Sequence, residues 1–302
     1  MRYQDAASFR QALEQRLKDE AAGDGARLAR MRKRVAFDRL LVRLAAVAPG
    51  QWLLKGGFAL DLRLSARARS TKDIDIEWRS NEEGLLDVLL DAASHDAGDF
   101  FVLTIEVTGA PDDRLGGSHR FRVTSSLAGR PFETFFLDVG YRDDQTTDLE
   151  ILLTDDVLSF AEIDPVEVEA VVVELQVAEK LHALTRTYEG GRASTRTKDL
   201  VDIVLISTLA HLDAETLRRE IDAVFASRDT HPPPYALPLP PPDWNEPFRR
   251  LAQEVGIPEK LSRGHRDAAA MLDLILAGEI TAGTWDPVEQ RWTKKPAQGR
   301  KI

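Results

Sequence analysis

The sequence contains no cysteine, which excludes disulfide bonds and metal sites built on thiolates. It contains only six histidines, and these form no histidine-rich cluster, so we do not expect a zinc enzyme. No run of about 18 apolar residues occurs, although a helix that spans a membrane needs one. The first residues also lack the apolar stretch of a signal peptide. We therefore expect a cytoplasmic protein with no membrane partner.

The charge of the chain is acidic overall but unevenly distributed. The 302 residues carry a formal net charge of −10, which argues against nonspecific binding of nucleic acid over the whole surface. Residues 1–50 nevertheless hold eleven Lys and Arg against six Asp and Glu. This basic region is either a local contact for RNA or a solvated helix face, and the sequence leaves both interpretations open.

Two short segments carry the clearest chemical signal. Lys55-Gly56-Gly57 is typical of a turn that opens a short helix, and a helix N-terminus presents backbone N–H groups to a phosphate. Asp73 and Asp75 follow on a predicted strand, where residues two apart share a face. Two such carboxylates repel each other unless a cation lies between them. A divalent metal ion that holds a phosphate fits this position, although glycine pairs also mark ordinary turns and edge strands also carry acids.

Residue periodicity predicts an α+β protein. The spacing of apolar residues predicts helices over 4–20 and 26–48. Predicted strands cover 73–78, 101–107, 120–126 and 132–139, and we expect a mixed sheet of about four or five strands within residues 1–170. Residues 171–302 are predicted to be mostly helical. The proline-rich stretch 231–243 is interpreted as a strut between two helices, with a ligand for an SH3-like domain as the alternative.

Three further positions are candidates for chemistry. Asp138 is an acid within an apolar strand, where an unpaired charge is costly; alternatively it faces solvent at a strand end. Lys180 borders the apolar stripe of a predicted helix, from which it either reaches a triphosphate or extends to water. Asp199 and Asp202 are three residues apart and therefore share a helix face. Alternatively, Asp199 is a helix-start acid and Asp202 pairs with a basic surface residue.

Taken together, these motifs resemble the AbiEii family of nucleotidyltransferase-like toxins, and within it the MenT toxins. The resemblance extends from about residue 28 to residue 260, and four motifs occur in the order and spacing of the family. They are Lys55-Gly-Gly-x-x-Leu60, Arg69-x-Thr71-x-Asp73-x-Asp75, Lys180-Leu-x-Ala183 and Lys198-Asp199-x-x-Asp202.

The resemblance implies both a fold and an activity. Residues 1–170 are expected to form a DNA polymerase β-type nucleotidyltransferase core with leading helices, and residues 171–302 a helical domain that completes the active site. The implied enzyme is a toxin with a cognate antitoxin. It uses Mg²⁺ or Mn²⁺ to transfer a nucleotide from a nucleoside triphosphate (NTP) to the 3′ acceptor end of tRNA, which blocks translation.

The expected site residues follow from the same motifs. Those expected to bind the nucleotide are Lys55, Gly56, Gly57, Arg69, Thr71, Lys72 and Asp199. Those expected to bind metal are Asp73, Asp75 and Asp138. Those expected to act in catalysis are Asp73, Asp75, Asp138, Lys180 and Asp202.

One position departs from the wider superfamily, and two other functions stay open. Many relatives carry Gly-Ser in the turn, and the serine hydroxyl contacts a phosphate; here Gly57 stands in that place, and we expect Thr71 to supply the hydroxyl. The first alternative function is nucleotidylation or phosphorylation of a protein, either the antitoxin or the chain itself. The second is a degenerate nucleotide-binding partner without catalysis.

Overall fold

The computed structural model describes residues 1–64, 67–80, 83–109, 119–141, 148–186 and 195–293. The chain divides into two compact units. The first unit comprises Met1–Arg63 and Ser70–Val171, and the second comprises Leu64–Arg69 and Val172–Ile302. None of the helices in the described ranges is long and apolar enough to cross a membrane.

Among its described residues, the first unit has four α-helices. They are α1 Ala6–Ala21, α2 Gly25–Val47, α3 Gly56–Arg63 and α4 Leu85–Ser94. The starts of α1 and α2 are fixed by aspartate caps, because Asp5 and Asp24 accept hydrogen bonds from backbone N–H groups of the first turn. The long helices predicted from the apolar spacing are therefore confirmed.

The described part of the same unit also forms a mixed sheet of seven strands. They are β1 Trp52–Lys55, β2 Asp73–Trp78, β3 Phe101–Val107, β4 His119–Leu127, β5 Arg130–Tyr141, β6 Leu149–Leu153 and β7 Glu167–Val171. Their order is β3-β4-β5-β2-β1-β7-β6. The pairs β2–β5 and β1–β7 are parallel, and the other pairs are antiparallel. The expectation of about four or five strands was therefore too low.

The alternation of side chains in β2 and β5 sorts apolar residues from acids. Ile74 and Ile76 are fully buried and belong to one hydrophobic cluster with Leu137 of β5. Asp73 and Asp75 lie on the opposite face of β2. The core therefore fixes the face on which the two carboxylates stand.

Much of the positive charge in the N-terminal helices is neutralised inside the first unit. Of the six arginines of α2, Arg27 pairs with Glu20 at the surface. The other five form ion pairs with buried or half-buried carboxylates: Arg30 with Asp61, Arg32 with Glu14, Arg34 with Asp155, Arg39 with Asp38 and Arg43 with Asp99. Arg39 and Arg43 are 2% and 1% exposed. For these five residues neither open interpretation holds, because they are internal counter-ions rather than an RNA contact or a solvated face.

The second unit is mainly helical. Its helices are α5 Val173–Thr185, α6 Thr197–Leu209, α7 Ala214–Arg228, α8 Asn245–Val255 and α9 Leu261–Leu276. Three short strands, β8 Leu212–Asp213, β9 Thr284–Asp286 and β10 Arg291–Thr293, form a separate sheet. Nearly every residue of α6 is buried, so α6 is the central helix of this unit.

The proline-rich stretch connects α7 to α8, as predicted for a strut. Leu237 within it is only 5% exposed, and its backbone N–H donates to an oxygen of Asp273 at 2.9 Å. His265 contacts the Leu237 carbonyl oxygen at 3.1 Å. These contacts anchor the stretch to α9.

Candidate active site

The glycine turn lies where β1 ends and α3 begins. Gly56 has φ +68°, a conformation that residues with a side chain rarely adopt. A Cβ atom built on Gly56 would lie 2.6 Å from the carboxyl carbon of Asp75. Only glycine therefore lets the start of α3 lie against the acid strand, and the Asp75 carboxylate is at the helix N-terminus.

The second glycine is required by a different neighbour. A Cβ atom on Gly57 would lie 2.7 Å from the Thr71 hydroxyl oxygen and 3.0 Å from the Thr71 Cβ. The same hydroxyl donates to the Asp73 carbonyl oxygen at 3.2 Å. The Thr71 hydroxyl therefore fills the space into which a serine at position 57 would project.

The acids form part of a row of charged residues across four adjacent strands. We call it the charged row: Arg120 of β4, Asp138 of β5, Asp75 of β2 and Lys55 of β1 are register partners in that order. Partners in neighbouring strands share a face of the sheet. The structure thus brings Asp75 and Asp138 side by side, with a cation at each end of the row.

Arg120 is a site residue that the sequence analysis missed. Its Nε and Nη2 atoms donate to the two carboxylate oxygens of Asp138, both at 2.7 Å. Its Nη2 also lies 3.5 Å from an oxygen of Asp73. The hydrogen bonds to Asp138 raise the pKa of Arg120 above its ordinary value, and the charges of Asp73 and Asp75 add to this effect. An arginine thus meets part of the charge requirement from which a metal ion was predicted.

Lys55, at the other end of the row, and the nearby Lys72 have different surroundings from Arg120. The Lys55 ammonium lies 3.2 Å from a carboxylate oxygen of Glu77. A Cβ atom on Gly140 would lie 3.3 Å from the same ammonium nitrogen. Gly140 therefore leaves room for the lysine head group. Lys72, which was predicted to bind nucleotide, is exposed.

A second group of charges belongs to the helical unit. Lys180 of α5 lies 2.6 Å from an oxygen of Asp202 and 3.6 Å from an oxygen of Asp199. Arg69 donates to both oxygens of Asp202, each at 3.0 Å. Asp202 is fully buried, so two cations share one carboxylate away from water. The structure brings these four predicted residues together.

The electrostatics of this cluster hold its members in their charged forms. Burial alone would lower the pKa of Lys180, but the charges of Asp202 and Asp199 outweigh it and the pKa is raised. Burial opposes the charge of Asp202 too, yet Lys180 and Arg69 lower its pKa. Lys180 is therefore a cation at neutral pH, suited to bind an anion and unsuited to act as a base.

The donor set of the first unit fits a hard divalent cation. Carboxylate oxygens are the ligands that Mg²⁺ and Mn²⁺ prefer, and Asp73 and Asp75 present them on one face beside the glycine turn. Within the described ranges, however, no three carboxylate or imidazole side chains surround a common metal position. Both oxygens of Asp138, the predicted third ligand, are bound by Arg120.

The chain is similar to known proteins in sequence pattern and in fold. The family model of the nucleotidyl transferase AbiEii toxin, type IV toxin–antitoxin system, matches residues 39–286. Among solved structures, the MenT4 nucleotidyltransferase toxin from Mycobacterium tuberculosis has a TM-score of 0.53 and 17% sequence identity, and the match covers 88% of this chain and 98% of that one. JHP933 from Helicobacter pylori has a TM-score of 0.43 and 18% identity, covering 82% and 90%. No curated protein matches the sequence.

Proposed function

The chain belongs to the AbiEii family of nucleotidyltransferase toxins, and from this premise we propose that it transfers a nucleoside monophosphate from an NTP to the 3′ acceptor end of tRNA, which blocks translation. Three predictions are confirmed: the AbiEii family, the α+β nucleotidyltransferase fold and the enzyme class. The tRNA acceptor, the Mg²⁺ or Mn²⁺ requirement and the cognate antitoxin are parts of the proposal. A cytoplasmic location is likewise part of the proposal.

One observation carries the proposal: the carboxylate of Asp75 packs against Gly56 at the first turn of α3. A triphosphate next to this turn would meet backbone N–H groups and the positive end of the helix dipole. The same triphosphate would lie beside Asp73 and Asp75, the residues that would hold the metal. When bound, the ion would neutralise the negative charge that develops on the pyrophosphate leaving group.

The chain's own residues position and neutralise the substrates. The acceptor hydroxyl attacks the α-phosphorus, a new phosphorus–oxygen bond forms, pyrophosphate leaves, and the hydroxyl proton passes to water. The Thr71 hydroxyl, next to Gly57, is the group that we assign to a phosphate oxygen. Lys180 belongs to the second unit and is kept charged by Asp202; for it we retain the role that the family resemblance implies, a positive charge for the nucleotide.

Asp138 had two possible roles, third metal ligand or base. Its oxygens accept two hydrogen bonds from Arg120, and its register partner on β2 is Asp75, one of the residues that would hold the metal. We therefore assign Asp138 to the group of acids that face the metal rather than to proton transfer.

The test is incubation of the intact chain with each labelled NTP, Mg²⁺ and total tRNA. We expect label at the tRNA 3′ end, no label with Asp75→Asn, and full labelling with Asp91→Asn, which alters an exposed acid on α4. Label on protein instead of RNA would establish the protein-acceptor alternative. Tight NTP binding without any transfer by the folded protein would establish the non-catalytic alternative.

A further inference from the structure

Arg120 contacts acids that the sequence predicted to hold a metal ion. Its guanidinium binds both oxygens of Asp138 at 2.7 Å and approaches an Asp73 oxygen at 3.5 Å. Asp138 in turn is the register partner of Asp75. One internal cation therefore contacts or adjoins all three acids that were predicted to hold the metal.

The pair with Asp138 is geometrically specific. A guanidinium that donates through two nitrogens to two carboxylate oxygens fixes the orientation of both groups. The Asp138 side chain is 10% exposed and that of Arg120 33% exposed. Arg120 also stacks over the Phe136 ring, with the guanidinium carbon 5.0 Å from the ring centroid. The guanidinium is thus held in place from two sides.

We propose that Arg120 is a built-in competitor of the catalytic metal ion: it holds Asp138 while the metal is absent, and the metal must displace it to use Asp138 as a ligand. The inference rests on the proposed function, because it concerns the same acids. Asp138 cannot present both oxygens fully to a divalent ion while each accepts a charged hydrogen bond. In addition, the guanidinium repels any cation that binds at Asp73 and Asp75.

The neighbouring arginine on the same strand offers a matched control. Arg122 lies two residues from Arg120, on the same face of β4, and its guanidinium carbon is 5.9 Å from the Phe136 centroid. Its ion-pair partner is Glu106 at 3.9 Å, and its side chain is 52% exposed. Removal of Arg122 therefore changes the net charge by the same amount but leaves the three acids untouched.

The experiment measures binding of Mn²⁺ alone to the full chain, by electron paramagnetic resonance of the free ion and by calorimetry. We expect Arg120→Gln to bind Mn²⁺ on the order of tenfold more tightly than the parent chain, because one repelling charge is removed. Arg120→Lys keeps the charge but loses the bidentate geometry, so its Mn²⁺ affinity should lie between those of the parent chain and of Arg120→Gln. Arg122→Gln should match the parent within about twofold, since exposed charges interact weakly.

The double variant Arg120→Gln/Asp138→Asn decides whether Asp138 is the contested ligand. The gain from Arg120→Gln should disappear when Asp138 is also replaced. Three results would overturn the proposal. Arg120→Gln and Arg122→Gln could raise the Mn²⁺ affinity equally, Arg120→Gln could leave it unchanged, or the gain in affinity could survive the loss of Asp138. Mn²⁺ binding by the parent that is lost in Asp75→Asn would leave the proposed function standing in those cases. No Mn²⁺ binding by any folded variant would remove the metal site and both proposals.

Discussion

Replacement of Gly57 by alanine tests how closely the glycine turn packs against Thr71. The added Cβ would lie 2.7 Å from the Thr71 hydroxyl oxygen and 3.0 Å from its Cβ. The hydroxyl cannot move freely, because it donates to the Asp73 carbonyl oxygen and threonine has few χ1 rotamers. Even another rotamer would leave the Thr71 Cβ in place.

Two opposing effects set the magnitude. Overpacking in a tightly packed site costs about 1–3 kcal/mol, whereas alanine in place of a helical glycine gains about 1 kcal/mol. We therefore expect Gly57→Ala to lower the free energy of unfolding by about 0–2 kcal/mol. Gly25, at the start of α2, has no atom near its Cβ position, so Gly25→Ala should be neutral or stabilising by up to about 1 kcal/mol.

The assay is urea unfolding followed by circular dichroism and tryptophan fluorescence, with coincident transitions required before free energies are compared. In the Thr71→Ala background the hydroxyl and methyl are gone, so the penalty of Gly57→Ala should shrink by about 1 kcal/mol. Thr71→Val keeps the bulk without the hydroxyl and should give no relief. The reasoning fails if Gly57→Ala is more stable than the parent, or if its penalty is unchanged when Thr71→Ala is also present.

Three further outcomes are expected, each checked by unfolding in urea. Gly56→Ala should destabilise more than Gly57→Ala, because a positive φ and a collision with Asp75 combine; a loss no larger than that of Gly57→Ala would contradict this. Asp202→Ala should lose about 3–5 kcal/mol, because it leaves buried cations without their partner; a loss below about 1 kcal/mol would mean that the cluster is hydrated. Burial, followed by the charge of Arg228, lowers the pKa of His182 from 6.5 to about 4. Folding therefore favours the neutral imidazole, so the free energy of unfolding should fall as the pH is lowered from 6.5 to 4. If His182→Gln leaves this dependence of unfolding free energy on pH unchanged, the assignment to His182 is refuted.

The sequence predicted best those elements in which buried and exposed residues alternate with a single period. The strand predicted over 101–107 is β3 Phe101–Val107, and within it Phe101 and Leu103 are buried while Val102 is exposed. The acid pair of β2 followed from the same period, because residues two apart on a strand must share a face. These properties depend only on neighbours in the chain.

Strands that depend on distant partners were missed. Leu149, Ile151 and Leu153 of β6 are exposed, so this strand is apolar on its open face, and its sequence does not alternate between apolar and polar residues. In the small sheet, Leu212 of β8 pairs with Trp285 of β9, which lies far along the chain. Such pairing leaves no local pattern from which a strand could be predicted.

Charge partners were the other weak point of prediction from sequence. A count of basic residues in the first fifty positions could not reveal that Arg43 donates to both oxygens of Asp99 in the core. In the same way, the two acids of β2 led to the prediction of a divalent metal ion and did not reveal Arg120. Like charges on a strand require compensation, and the chain supplies part of it from β4, the second strand away from β2 in the sheet.

The register of β4 against β5 decides which side chain Arg120 meets. The two-residue hairpin turn at 128–129 would by itself set Arg120 opposite Leu137, but a bulge at Ser125–Ser126 shifts the ladder by one residue and sets it opposite Asp138. Because partners in neighbouring strands share a face, the unshifted register would direct the guanidinium toward the core rather than the acids. The spacing of residues in the sequence does not mark this bulge, so three acids could be predicted from the chain while the arginine that lies beside them could not.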